Sequence, residues 1–318
     1  MRAILFASLL AACTPSTTSV DNPIAVAASG DHVVVAADVA TTDTGFGCGG
    51  GEAFLGSSVL FVSNDGGKTF ARTVPTDPRP LIRIAAHDGV FYAVAHDNNG
   101  QFAVVTSVDG TTWTEVASQP DYAQDFAAAS DELVVAHATG MLTSADGSVW
   151  TNHPIAGSGY FRPSIASAHG MIALGSSADG MLHVTSDATT WTTRATGLTS
   201  ISQILVDEGS LLVAGYAENR GSAIARIDLE TTTASPVVTP TTYSGFALVT
   251  PAGLLDSSGT LAPLGATIGQ GVAHVEPFVS AAVDGSTVAV VRTTSVQVSL
   301  DGGATFGASV ALPIVSAD

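Results

Sequence analysis

Five short segments of this 318-residue chain repeat one pattern, and their spacing constrains the fold more than any other feature. They are Ser63-Asn64-Asp65-Gly66-Gly67-Lys68-Thr69-Phe70, Ser107-Val108-Asp109-Gly110-Thr111-Thr112-Trp113, Ser144-Ala145-Asp146-Gly147-Ser148-Val149-Trp150, Thr185-Ser186-Asp187-Ala188-Thr189-Thr190-Trp191 and Ser299-Leu300-Asp301-Gly302-Gly303-Ala304-Thr305-Phe306. All three tryptophans fall at the same repeat position. Successive starts lie 44, 37 and 41 residues apart, followed by a gap of 114. A period of about 40 residues marks an architecture of stacked supersecondary units, none of which buries its apolar face alone.

Each unit reads as four short strands. Leu81 to Ala86, Val90 to His96, Phe102 to Ser107 and Thr114 to Ser118 make strands a to d, with the repeated segment between c and d. The order recurs at Phe126 to Ser130, Glu132 to Ala138, Met141 to Ser144 and Thr151 to Ile155. Val33 to Ala37 and Leu211 to Ala214 are apolar without alternation, as expected of strands covered on both faces. No helical stripe of useful length occurs beyond the first twelve residues. The gap of 114 has room for two degenerate units, with Ala225 to Thr231 and Leu255 to Gly259 as remnants of the repeated segment. The expected fold is all-β: one β-propeller of seven four-stranded blades, with six or eight as alternatives.

The five segments resemble the Asp-box, also called the BNR repeat, of the sialidase- and sortilin-type propellers. The chemistry of such a turn is structural. A carboxylate and a hydroxyl satisfy backbone groups of a tight hairpin, and glycine supplies a positive φ. Asp65, Asp109, Asp146, Asp187 and Asp301 are therefore expected to hold turns rather than to catalyse.

The amino terminus reads as an address. Met1-Arg2 is followed by an apolar Ala3 to Leu10, too short to span a bilayer as a mature helix. Leu10-Ala11-Ala12-Cys13 resembles the bacterial lipobox. That resemblance implies cleavage after residue 12, with acylation of Cys13, and two or three acyl chains make a durable anchor. The alternative is an ordinary secretory signal. The expected organisation is a signal peptide over 1–12, an acylated cysteine and flexible tether over 13–22, and the propeller over 23–318. Thr14 rather than Asp after the anchor favours the outer membrane over the inner. If Cys13 is acylated, Cys48 in its glycine-rich loop is left unpaired.

The formal net charge is −18, with Lys68 as the only lysine, so nucleic acid is excluded as a partner and contact with a membrane is expected through the lipid alone. A 46% hydrophobic and only 12% charged composition also excludes disorder. No phosphate loop, Gly-x-Ser-x-Gly or cysteine cluster is present, and no two histidines have a usual metal-ligand spacing. Neither cofactor nor metal is expected.

Strand direction places the b–c and d–a loops on one rim, opposite the repeated turns. Four of the five tyrosines map there, and the candidate binding residues are Tyr122, Tyr160, Arg162, Tyr216, Glu218, Arg220 and Tyr243. Asp38, Asp43, Cys48 and Glu52, in a long loop over 38–57, share that rim with Asp77, Arg79, His96, Asp97, Asp125, His137, Glu276 and Arg292. Sialidases clamp the substrate carboxylate with three arginines, the first ahead of the first Asp-box. Here no arginine lies between Arg2 and Arg72, and Phe161-Arg162-Pro163 is only an echo of that motif. The expected function is non-catalytic: an envelope lipoprotein binding a protein or glycan. The alternative is a carbohydrate-active enzyme using two rim carboxylates such as Asp97 and Glu218, which would need to stand about 5 to 9.5 Å apart.

Overall fold

A computed structural model describes residues 17–43, 52–97, 101–128, 132–154, 164–168, 170–207, 210–216, 218, 222–228, 247–250, 252–262, 272–284 and 286–314. Their strands form seven antiparallel sheets, each built from consecutive strands in the order a-b-c-d. The first comprises Thr17–Ser29, His32–Asp43, Glu52–Ser63 and Ala71–Thr73. The second comprises Leu81–His87, Val90–His96, Phe102–Ser107 and Thr114–Gln119, and the third Ala123–Ala128, Leu133–His137, Gly140–Ser144 and Thr151–Pro154. The fourth comprises Ser164–Ala168, Met171–Gly175, Met181–Thr185 and Thr192–Ala195. Three strands of the fifth are described, Ser200–Asp207, Ser210–Tyr216 and Ser222–Asp228. The sixth runs Ala247–Thr250, Gly253–Asp256, Thr260–Ala262 and Val272–Ala273, and the seventh Ser280–Asp284, Thr287–Val291, Ser295–Ser299 and Val310–Ala311.

The a strands pack against one another in chain order, and the a strand of the seventh sheet packs against that of the first. The sheets therefore stand as radial blades around a closed ring. Second strands are buried on both faces: Val33 to Ala37 and Leu133 to Ala136 have no exposed surface. Each such valine or leucine contributes about 1.5–3 kcal/mol by leaving water. Apolar clusters form between blades. Val34, Leu60 and Val62 of the first sheet meet Leu81, Phe91 and Trp113, while Val33, Val35 and Phe61 meet Ala289, Val291 and Leu312 of the seventh. Both the first and last blades take all four strands from contiguous sequence, so the ring is closed by side-chain packing without strand exchange. A polar contact, from Thr287 Oγ1 to the Gly30 carbonyl at 3.4 Å, also crosses this seam.

Unpaired a-strand amides are satisfied by side chains of the preceding blade. Leu81 N donates to Ser58 Oγ (2.8 Å), Ile165 N to Asp125 Oδ2 (3.0 Å) and Ile204 N to Ser164 Oγ (2.9 Å). An orphaned buried N–H would otherwise carry the full cost of its lost hydration.

The structure corrects three expectations. Thr17 to Asn22, assigned to the flexible tether, pair in register with Asp43 to Asp38. Strands b and c of the first sheet extend to Asp43 and from Glu52, so 38–43 and 52–57 of the expected loop are strand, and 44–51 lie outside the described residues. Asp21, buried in this extension, accepts a bidentate pair from Arg72 at 2.7 and 3.0 Å. Finally, Leu255 to Gly259 is not a c–d turn but the b–c turn of the sixth sheet. Its chemistry is as expected, with Asp256 Oδ1 accepting from Ser258 N and Thr260 N. A carboxylate before two small polar residues closes any short turn, so composition alone did not fix its place.

Candidate functional site

The five repeated turns share one hydrogen-bond scheme in two lengths. In the seven-residue form, Asp109 Oδ1 accepts from Thr111 N (2.8 Å), Thr112 N (2.7 Å) and Ser107 Oγ (3.0 Å). In the eight-residue form, Asp65 Oδ1 accepts from Lys68 N (3.0 Å), Thr69 N (2.9 Å) and Ser63 Oγ (2.8 Å). Asp146, Asp187 and Asp301 are held likewise. Hydrogen bonds to the ionised form lower the pKa values of these carboxyls. The Thr69 side chain and backbone take the Asp65 carboxyl down to about 2, and those of Thr305 do the same for Asp301. The indole N–H of Trp113 and of Trp150 donates to the carbonyl of Gly110 and Gly147, tucking each ring under its turn.

The glycine of each turn also docks on the preceding blade. A Cβ at Gly110 would lie 2.5 Å from Val34 Cγ2, and one at Gly147 would overlap the Tyr92 ring. Gly67 meets Val298 across the seam in the same way. Ala188 takes this place in the fourth sheet, at φ 58°, with its methyl in a cluster with Val134, Ala136 and Met141.

On the opposite rim, the second and third sheets bring four polar or aromatic groups together. The Tyr122 ring is 57% exposed and lies 5.6 Å from the His96 ring, between centroids. His96 Nε2 is buried without a hydrogen-bond partner among the described residues. Burial first, and then the charge of Arg83, push the His96 pKa below its ordinary value against the opposing Ala123 carbonyl and Asp97, which favours the neutral ring. The Arg83 side chain is half exposed, with Nε 3.6 Å from Asp125 Oδ1. Burial raises the Asp125 carboxyl, partly countered by the N–H groups of Ile165 and Phe126 and by Arg83. This mouth offers an exposed phenol on a neutral imidazole beside a half-exposed guanidinium. Such groups stack and hydrogen-bond; no nucleophile is paired with a base among them.

Behind Tyr122 lies a supporting network. Asp121 Oδ2 contacts His137 Nδ1 (3.2 Å) and accepts from Thr139 N and Oγ1 (both 3.0 Å), and His137 Nε2 faces Asn152 Oδ1 at 3.2 Å. His137 is thereby a satisfied structural histidine, and no metal-binding group of His, Cys, Asp and Glu occurs among the described residues. Two other described rim arginines are taken up by acids. Arg79 bonds Asp77 and Glu115, and Arg292 pairs with Glu276. Asp97 Oδ1 accepts from Gln101 N at 2.8 Å, while Glu218 follows the b strand of the fifth sheet. Nothing among the described residues brings these two carboxylates together. Tyr216 is 49% exposed on the same rim. Cys13, Cys48, Tyr160, Arg162, Arg220 and Tyr243 lie outside the described residues. Sequence reasoning placed Tyr122, His96 and Asp125 on this rim but missed Arg83, whose place here depends on the contact it makes with Asp125 of the next blade.

Solved structures share this ring. The WD40 propeller domain of Doa1 superposes with a TM-score of 0.57 at 13% identity, over 88% of this chain and 93% of that one. Sqt1 of Saccharomyces cerevisiae gives 0.54 at 12%, over 94% and 97%. The fold is a β-propeller. YCF48, solved bound to a D1 peptide, matches this propeller with a TM-score of 0.52 at 13% identity, over 92% and 81%. At these identities the likeness establishes the fold alone. No protein-family model matches the sequence, and no curated protein does.

Proposed function

We propose that this chain is a bacterial envelope lipoprotein, anchored through Cys13, whose propeller binds a protein or glycan partner on the b–c and d–a rim. The observation that carries the reading is the mouth between the second and third blades, where Tyr122 and Arg83 are exposed while His96 and Asp125 are held behind them. Exposed aromatic and arginine side chains on a rigid support are the usual anchors of a binding surface. Tyr216 and Glu218 extend that rim, and Tyr160, Arg162, Arg220 and Tyr243 belong to its loops by sequence order. The peptide carried by YCF48 and the partners of the propeller in the mitotic checkpoint complex are in keeping with a protein ligand. On this reading the five turn aspartates are Asp-boxes with a structural task, no catalytic residue is assigned, and the outer membrane is the favoured site.

The test is crosslinking in living cells with a tag at the carboxyl end, comparing the wild type with Tyr122→Ala and Arg83→Ala. A partner recovered in proportion to the bait, and lost in both variants at unchanged expression, supports the reading. Equal recovery from all three refutes this mouth as the binding surface. Metabolic labelling with palmitate checks the anchor separately. Cys13→Ser should abolish the label and release the protein from membranes, and a labelled or membrane-bound variant would refute Cys13 as the attachment point.

A further inference from the structure

The sequence contains seven Asp-Gly pairs, at residues 65, 88, 109, 146, 179, 284 and 301. Asp-Gly is, after Asn-Gly, the dipeptide most open to backbone rearrangement, because glycine leaves its amide nitrogen unhindered beside the aspartyl side chain; the one Asn-Gly pair, Asn99-Gly100, lies outside the described residues. Folding protects a pair in two ways: by binding the amide that must attack, or by binding the carboxylate that must be attacked.

The four pairs in the repeated turns are protected both ways. Their glycine amides donate to Asp31 O (Gly66, 2.8 Å), Ser107 Oγ (Gly110, 2.9 Å), Ser144 Oγ (Gly147, 2.8 Å) and Ser286 O (Gly302, 2.7 Å). Their carboxylates accept from the turn amides already described, which fixes them in the unreactive ionised form. Asp179 is held by Met181 N at 3.1 Å, and Gly180 is packed against the backbone of Leu198 and Thr199. Gly285 lies outside the described residues.

Asp88-Gly89 differs on every count. It is the two-residue a–b turn of the second sheet, between the paired His87 and Val90. The Asp88 side chain is 85% exposed, and its Oδ2 lies 3.8 Å from His87 Nε2. Asp88 also stands at φ 49°, a left-handed conformation that costs a residue with a side chain about 1 kcal/mol or more. Space around Gly89 is open, with nothing within 4 Å of a Cβ built there.

We propose that Asp88 is a site of spontaneous succinimide formation and isoaspartate conversion, while the turn aspartates are resistant. The Gly89 amide nitrogen bonds to Asp88 Cγ, gives up its proton, and a carboxyl oxygen leaves as water. The five-membered imide then takes up one water at either carbonyl. Opening at the backbone carbonyl routes the main chain through Cβ; opening at the other restores aspartate. Water lost equals water gained, and no oxidant or reductant is needed. The product lengthens a tight turn on the rim away from Tyr122, so partner binding at the mouth is unaffected.

The test is to age the purified full chain in warm neutral buffer and map isoaspartate by isoaspartyl methyltransferase labelling and electron-transfer fragmentation. A parallel sample is kept unfolded in urea. The folded protein should convert at residue 88 at least about tenfold faster than at any repeated turn, because several hydrogen bonds must break before those can react. In urea the seven pairs should react at comparable rates, and Asp88→Glu should remove the conversion at that position. Conversion at a repeated turn as fast as at residue 88, or a folded chain unmodified at 88 when the unfolded chain is modified there, would overturn the proposal.

Discussion

Replacing Gly110 with alanine tests the inference that the turn glycines are joints between blades. Two costs are expected. At φ 73° an L-residue gives up about 1–2 kcal/mol relative to glycine. The new methyl would also lie 2.5 Å from Val34 Cγ2, where carbon atoms normally rest about 3.5–4.0 Å apart. Val34 is wholly buried and β-branched, so it has little freedom to turn aside. Overpacking of this kind costs about 1–3 kcal/mol, giving about 2–5 kcal/mol in all. Gly30 is the matched control: its φ is 54° and nothing lies within 4 Å of a Cβ there, so Gly30→Ala should cost only the backbone share. The assay is urea unfolding followed by the fluorescence of the three tryptophans, with stability read from the midpoint at constant slope. A double-mutant cycle with Val34→Ala should return about 1–3 kcal/mol of coupling, since trimming the valine makes room for the methyl. If Gly110→Ala is no worse than Gly30→Ala, or the cycle shows no coupling, the glycine is a turn residue only and the joint is wrongly assigned.

Other expectations follow from the same geometry. Ala188→Gly should leave stability unchanged or raise it by up to about 1 kcal/mol, because relief of about 1–2 kcal/mol of left-handed strain offsets the burial of one methyl, worth about 0.8 kcal/mol; a loss above about 2 kcal/mol by urea unfolding would contradict that balance. The turn aspartates are depressed to about 2 at Asp65 and Asp301, below the ordinary carboxylate range. Their stabilisation is therefore complete above the unfolded value near about 3.9 and drains away as pH falls through the folded value, so melts should drop steeply over that interval and much less in Asp65→Asn/Asp301→Asn. Asp125 is shifted the other way, chiefly by burial, so its contribution is greatest in acid and declines as pH rises through the folded value. Asp125→Asn keeps an acceptor for Ile165 N without a buried charge, and should melt higher than wild type at neutral pH, with the gain vanishing in acid; a lower melting temperature at neutral pH would show that Arg83 dominates the site.

Much of the ring was legible because its units repeat. The second blade was bounded to within a residue or so from apolar runs and turn residues, and its b and c strands coincide with the observed Val90–His96 and Phe102–Ser107. The a strands were harder. Ala123–Ala128 begins three residues before the expected Phe126, since a strand carrying Gln124 and Asp125 has no apolar pattern; Asp125 earns its place by accepting an amide from the next blade. Thr17 to Asn22 has the polar composition of a linker and is a strand because Asp38 to Asp43 pair with it, a long-range fact no local pattern carries. At the mouth, Tyr122 and His96 could be placed on one rim by counting strand directions. That Arg83 joins them could not, because it depends on how two neighbouring blades are set against each other.

The seam between the last blade and the first has a consequence for the chain as a linear object. No strand is donated across it, so it is joined by the same means as the other contacts between blades: valines and alanines face to face, and a turn glycine set against a neighbour. A polymer closed in this way has no privileged starting point. Its order of units is a history of how the chain is written rather than a condition of its folding. A circularly permuted chain, opened at another d–a connection and joined across the present seam, would present the same contacts in every interface. It would differ only in which joint has to find its partner last.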